Sequence, residues 1–262
     1  MPEFKLKNVI NICIIIMVML SCISCNKKSE EKNGKLTIKF SFSVDNENFQ
    51  QDTLQYHNAA DNLYEVNEIK FFISDFTLHT SDNQSITIKD NNSIHYADYD
   101  IPKTLTWAIS DEIATGTYKA ISFRFGLSDE KNKTHYFVNP PESNMSWPDA
   151  LGGGYHYMMI NGKWLKDNIL TPFNFHLGRG QQYDGETITD FIDNSFTVTV
   201  PASSFTMDEN GVTLTLNMNI NNWFCTPEIF DFNHFGGAIM TNQTAQEVAR
   251  TNGQNVFSIK KN

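Results

Sequence analysis

Cysteine is scarce in this chain. Four occur in 262 residues, and three of them, Cys13, Cys22 and Cys25, lie in the first 25. The remaining body carries Cys225 alone, so it can form no intramolecular disulfide and holds no C-x-x-C pair for zinc or thiol exchange. Its place in Trp223-Phe224-Cys225 suggests a buried structural thiol. Positive charge is also short: 20 Lys and Arg stand against 30 Asp and Glu, for a net charge of -10. An acidic protein is repelled by phosphate backbones, which argues against nucleic acid as a partner. Catalytic signatures are missing as well. There is no G-x-S-x-G and no H-E-x-x-H, and Gly152-Gly153-Gly154 is not followed by the Lys-Ser/Thr of a phosphate loop. Three glycines ahead of a strand more simply supply free φ. The carboxylates Asp98/Asp100 and Asp190/Asp193 fall on expected turns without EF-hand spacing, so solvated surface is their default. A binding protein rather than an enzyme is expected.

Long apolar runs are absent too. The longest, Val9 to Leu20, is interrupted by Asn11 and is too short to span a bilayer comfortably. Lys5 and Lys7 precede it and Ser21-Cys22-Ile23-Ser24-Cys25 follows, which reads as a signal peptide ending in a lipobox. Either cysteine could be lipidated. Cys25 is preferred because the polar run Asn26 to Lys32 starts directly after it and reads as a tether. Ser29-Glu30-Glu31 resembles the export signal of surface lipoproteins in Bacteroidota. The expected organisation is a signal over 1–25, a tether over 26–34 and one domain over 35–262. The protein would be lipid-anchored at the outer membrane or cell surface, with the periplasmic side as the alternative.

Aromatics are plentiful: 20 Phe, nine Tyr and four Trp. They suit sheets. Leu36, Ile38, Phe40, Phe42 and Val44 alternate with polar residues, the period of a half-buried strand. Similar strands are predicted over 66–79 (bent near Ser74-Asp75), 85–89, 93–97, 104–109, from Gly116 to Gly126, and over 154–160, 171–177, 195–200 and 211–220. Residues 129–144 and 178–185 read as loops. Thr244-Ala245-Gln246-Glu247 fits a capping box, which predicts one helix near 242–252. The fold class expected is all-β, an antiparallel β-sandwich with one short C-terminal helix.

Within this pattern the stretch from Asn144 to Gly178 concentrates His156, His176, Met145, Met158, Met159, Trp147 and Trp164. Imidazole and thioether together suit copper, the thioether favouring Cu(I). Met and aromatic residues on strands are more often core, and a single His is more often a hydrogen-bonded side chain. On a regular strand His156 shares a face with Met158 and Ile160. If 154–160 pairs with 171–177 around a loop near Lys166–Asn168, His176 falls opposite or diagonal to Met158 and His156, within reach of one ion. Asn161-Gly162 is itself a two-residue hairpin signal; a turn there would move His176 one strand away. His57 is held as a reserve ligand. His79, His95, His135 and His234 default to solvated or structural roles.

These residues carry a resemblance. Met145-x-Trp147, Gly154-Tyr155-His156-Tyr157-Met158 and His176-Leu177-Gly178 resemble the MbnP-like family of periplasmic copper-binding proteins. Phe71-Phe72-Ile73-Ser74, Gly116-x-Tyr118, Phe123-x-Phe125-Gly126-Leu127 and Trp223-Phe224 extend it over roughly Leu36 to Phe257. The resemblance implies a copper-binding β-sandwich with His156 and His176 as ligands and Met145 as a third candidate. It also implies a dihaem cytochrome c peroxidase-like partner, MbnH, which oxidises a Trp of the founding protein to kynurenine. Trp147 best matches a family Trp in the Met-x-Trp block and is the candidate for that oxidation, although Asp149 stands where many relatives place a second Trp. A competing reading is a carbohydrate- or protein-binding surface lipoprotein that uses exposed Trp107, Trp147, Trp164 and Trp223 as stacking platforms.

Overall fold

A computed structural model describes residues 32–260. The proposed signal, Cys25 and most of the tether lie outside the described residues. The last tether residues do not dangle: Asn33–Gly34 pairs with Ile113–Ala114 as a short ladder.

The principal strands are β1 (Leu36–Val44), β2 (Leu63–Thr80), β3 (Ile94–Asp98), β4 (Gly116–Phe125), β5 (Met158–Lys166), β6 (Ile169–Leu177), β7 (Gly180–Asp184), β8 (Thr187–Ile192), β9 (Phe196–Thr199), β10 (Val212–Asn219) and β11 (Phe257–Lys260). Among the described residues the α-helices are α1 (Phe232–Phe235) and α2 (Gln243–Gly253). The larger sheet runs β6-β5-β2-β4-β9, with β3 and short strands also paired to β2 and β4. The smaller runs β11-β10-β1 and adds two short strands. Phe40 and Phe42 of β1 meet Phe71 of β2 edge-on, at ring separations of 5.7 and 6.3 Å. Phe257 of β11 meets Phe71, Phe123 and Phe125. These contacts knit two sheets into the expected sandwich.

Alternation did what its period demands in β1, where all five apolar residues are buried. β2 is longer than predicted and does bend at the expected place: Asp75 has φ of 53°, and the β2/β4 register shifts between Ser122 and Arg124. One ladder departs from the antiparallel expectation, since β1 and β10 pair parallel. The region read as a loop over 178–185 is half of the β7/β8 hairpin. The capping box does not form. Asn242 caps α2 instead, its side chain accepting from the Ala245 N–H at 3.1 Å, because an Asn two residues earlier serves the same free N–H groups. Asp98, expected on a solvated turn, is buried where β3 ends and accepts from the Tyr96 hydroxyl at 2.7 Å. Cys225 is half-buried rather than buried, with Sγ 3.2 Å from Thr226 Oγ1.

The hairpin question has a definite answer. β5 and β6 are joined by Asp167-Asn168, both with positive φ (49° and 62°), as a two-residue primed turn requires. Asn161-Gly162 lies mid-strand. A Cβ on Gly162 would sit 2.1 Å from the Glu65 carbonyl oxygen and 2.6 Å from the Phe173 ring. Glycine is therefore there for close backbone approach, not for a turn. Gly162→Ala is expected to destabilise the domain by about 1–3 kcal/mol, read as a lower denaturant midpoint; an unchanged midpoint would contradict this packing.

Candidate metal centre

The site lies where the segment leading into β5 meets the end of β6. Pro148 to Gly154 makes a tight loop whose three glycines, Gly152, Gly153 and Gly154, all have positive φ. The free φ anticipated for them is used. Beyond the loop, Ser146 bridges Tyr155, and Tyr155 is pinned by Asn132 Oδ1, which accepts its N–H at 2.8 Å.

The alternation then breaks at one point. Leu177 is the ladder partner of Met158, yet its carbonyl also accepts the Tyr157 N–H at 2.7 Å. Two residues of one strand face one of the other, the geometry of a β-bulge. Tyr157 and Met158 are both fully buried. The extra residue inverts the parity of everything before it. His176 faces Met159, not Met158, and His156, expected on the Met158 face, arrives on the His176 side instead. The two imidazole rings stand 5.0 Å apart, nearly perpendicular at 88°.

Each ring has one satisfied nitrogen and one unsatisfied. His156 Nδ1 lies 2.9 Å from the Met145 carbonyl oxygen, an atom that only accepts, so Nδ1 carries the proton and Nε2 keeps a lone pair. His176 Nε2 lies 2.7 Å from Asn161 Oδ1, which leaves the lone pair on Nδ1. Among the described residues, four buried side-chain polar atoms have no hydrogen-bond partner: His156 Nε2, His176 Nδ1, Arg124 Nε and Trp223 Nε1. Of these, Arg124 Nε has an ion-pair partner, Asp75 Oδ2, at 3.5 Å. An unsatisfied buried group costs about 1–3 kcal/mol, so two on adjacent rings call for a partner that the chain's own side chains do not supply. Burial lowers the pKa of His156, against the opposing pull of the Met145 carbonyl. Burial, and then the neighbouring His156, push His176 down to about 3. Both rings are thus neutral near pH 7, the form that binds metals.

Met145 is fully buried and touches the pair through its carbonyl, which also accepts the His156 backbone N–H at 2.7 Å. Trp147 packs edge-on to His156 with ring centroids 4.7 Å apart, donates Nε1–H to the Leu151 carbonyl at 3.0 Å and lies against Gly178. The structure therefore gathers His156, His176, Met145 and Trp147 in one place. It does not bring in His57, which is exposed and paired to Asp61, nor His95, stacked between Phe40 and Trp107 with Nε2–H on the Thr104 carbonyl. Asn161 was missed: only the β5/β6 register shows that it sits diagonally across from His176. Among the described residues no three His, Cys, Asp or Glu cluster as a metal site, so a closed zinc site of Cys and His ligands has no ligand set here. The two lone pairs do fit a metal that accepts two imidazoles and a softer third donor, as copper does.

The four tryptophans argue against the stacking-platform reading. Trp107, Trp147, Trp164 and Trp223 are all buried, none more than 5% exposed.

No curated protein matches the sequence. Among solved structures, the chain is similar to "MbnP from Methylosinus trichosporium", with a TM-score of 0.54 and 15% identity over 76% of this chain and 80% of that one. At that identity the likeness speaks to the fold. The MbnP family model matches residues 33–244, from the first ladder into α2 and across the whole histidine site: this chain belongs to the MbnP family.

Proposed function

We propose that this chain is an extracytoplasmic copper-binding protein that holds one copper ion through His156 Nε2 and His176 Nδ1. The observation that carries the reading is the pair of buried, unpartnered ring nitrogens on imidazoles 5.0 Å apart. Bound copper would supply a soft, redox-active cation; the chain's part is to hold it. Met145 and Asn161 fix the two rings by taking their other N–H groups, Trp147 walls off one side of His156, and burial keeps water and protons from competing. The Met145 thioether is the third donor to test.

Three further parts of the reading rest on sequence. The Ser24-Cys25 junction supports a lipid anchor on Cys25 at the outer membrane or cell surface. The family resemblance supports a dihaem peroxidase-like partner, and the buried Trp147 beside His156 is the side chain such a partner would oxidise. One preparation tests all of these: protein extracted from its native membrane, assayed for copper and by intact and peptide mass. Expected are one copper per chain, an acyl chain on Cys25 and an oxidised Trp147. Absence of copper, together with failure of the purified protein to take up one equivalent of Cu(I), would overturn the site. An acyl chain on Cys22 or none, or an unmodified Trp147, would overturn the anchor or the partner separately.

A further inference from the structure

The ring of His176 is held by a chain of groups that crosses three strands. On β5, Asn161 faces Asn174 of β6 on one side and Glu68 of β2 on the other. His176 Nε2 sits 2.7 Å from Asn161 Oδ1. Asn161 Nδ2 donates to Glu68 Oε2, and Lys70 Nζ pairs with Glu68 Oε1. The members are half-buried or buried, so each bond matters to the next.

This chain has a direction. A carboxylate paired with lysine only accepts hydrogen bonds. Asn161 must therefore turn its NH2 to Glu68 and its oxygen to His176. An oxygen there can only accept, so the His176 proton is held on Nε2 and the lone pair on Nδ1, the atom left without a partner. Without Glu68, the Asn161 amide could face either way. Turned round, it would offer NH2 to Nε2 and drive the proton onto Nδ1, closing that nitrogen to a metal.

We propose that Glu68, acting through Asn161, determines which nitrogen of His176 is offered to the ion; the proposal rests on the copper reading of the histidine pair. Glu68 and Asn161 are then positioning residues.

The test swaps the polarity of the chain. Tautomers are read from histidine ring 15N shifts in the metal-free protein, and affinity from Cu(I) competition titrations, with folding checked by circular dichroism. The parent should show Nε2–H and a bare Nδ1 at His176. Glu68→Gln removes the accept-only end, since an amide can also donate. It should move a substantial share of His176 to Nδ1–H and weaken Cu(I) binding by about 10–100-fold, the usual scale for groups that orient a ligand. Adding Asn161→Asp restores an accept-only group, now at position 161, where it can take protons from both neighbours. Glu68→Gln/Asn161→Asp should recover both the parent tautomer and the affinity. A Glu68→Gln protein with the parent tautomer, or a double variant no better than the single, would overturn the proposal. If the tautomer responds as described but the parent takes up no copper, the control of the ring stands and the metal assignment fails.

Discussion

His156→Leu is expected to abolish stoichiometric copper binding while leaving the metal-free protein at least as stable as the parent. Removing a ligand should cost more than the roughly 10–100-fold typical of an orienting neighbour, and with His176 alone the site drops to one imidazole. Stability moves the other way for a local reason. The imidazole hydrogen-bonds the Met145 carbonyl, and the Ser146 backbone also acts on the ring. The Met145 carbonyl keeps the His156 backbone N–H at 2.7 Å whatever the side chain, so the substitution does not strand it, and an unsatisfied nitrogen that costs about 1–3 kcal/mol is removed. The net gain expected is about 1 kcal/mol, less than that cost because the lost bond and imperfect packing of leucine offset part of it. Cu(I) titration and urea unfolding of the metal-free protein decide it. A variant that binds like the parent would remove His156 from the site; one that unfolds several kcal/mol earlier would show that the ring is structural.

The second large effect is on the fold around the site. Trp147→Ala is expected to destabilise the domain by about 3–5 kcal/mol, the usual range for emptying a buried aromatic site. The indole is 2% exposed, lies against Gly178, meets His156 edge-on and ties the Pro148–Gly154 loop through the Leu151 carbonyl. Trp147→Phe keeps the apolar wall but loses the tie to Leu151, so a loss nearer 1 kcal/mol is expected, on the scale of one net hydrogen bond. Urea midpoints at constant slope separate the two. If Trp147→Ala unfolds like the parent, the loop is held by other contacts and Trp147 is dispensable to the site's shape.

How far these features could be read from sequence depended on which interaction decides each one. β1 was legible because period-two burial is local, whereas the β5/β6 hairpin was legible only as one of two placements, since Asn161-Gly162 carries a turn signal that the packing around Gly162 overrides. The gathering of His156 and His176 was legible only in outline. A regular strand puts His156 with Met158; the bulge at Tyr157–Met158 inverts that parity, and it is set by the Leu177 carbonyl from another strand. The parallel β1/β10 pairing and the β7/β8 hairpin were hidden for a similar reason. The first joins segments far apart in sequence, and the second is mostly polar, with no apolar face to betray it. At the start of α2, Thr244 and Glu247 had the right spacing, but Asn242 reached the free N–H groups first. Asn161 and Glu68 carry no motif at all, since an amide between a carboxylate and an imidazole exists only once three strands are in register.

The parallel ladder between β1 and β10 also sets an order of events. Ser41 and Asn217, hydrogen-bonded in the finished protein, are 176 residues apart. From the N-terminus onward, β1 is among the first strands to exist and its long partner among the last. Until residues 212–219 are available, Leu36, Ile38 and Phe40 lack the strand that flanks them. An apolar strand with a free edge is the kind of segment that pairs with the wrong neighbour. Whatever escorts this chain before residue 219 is complete has β1 as its natural charge.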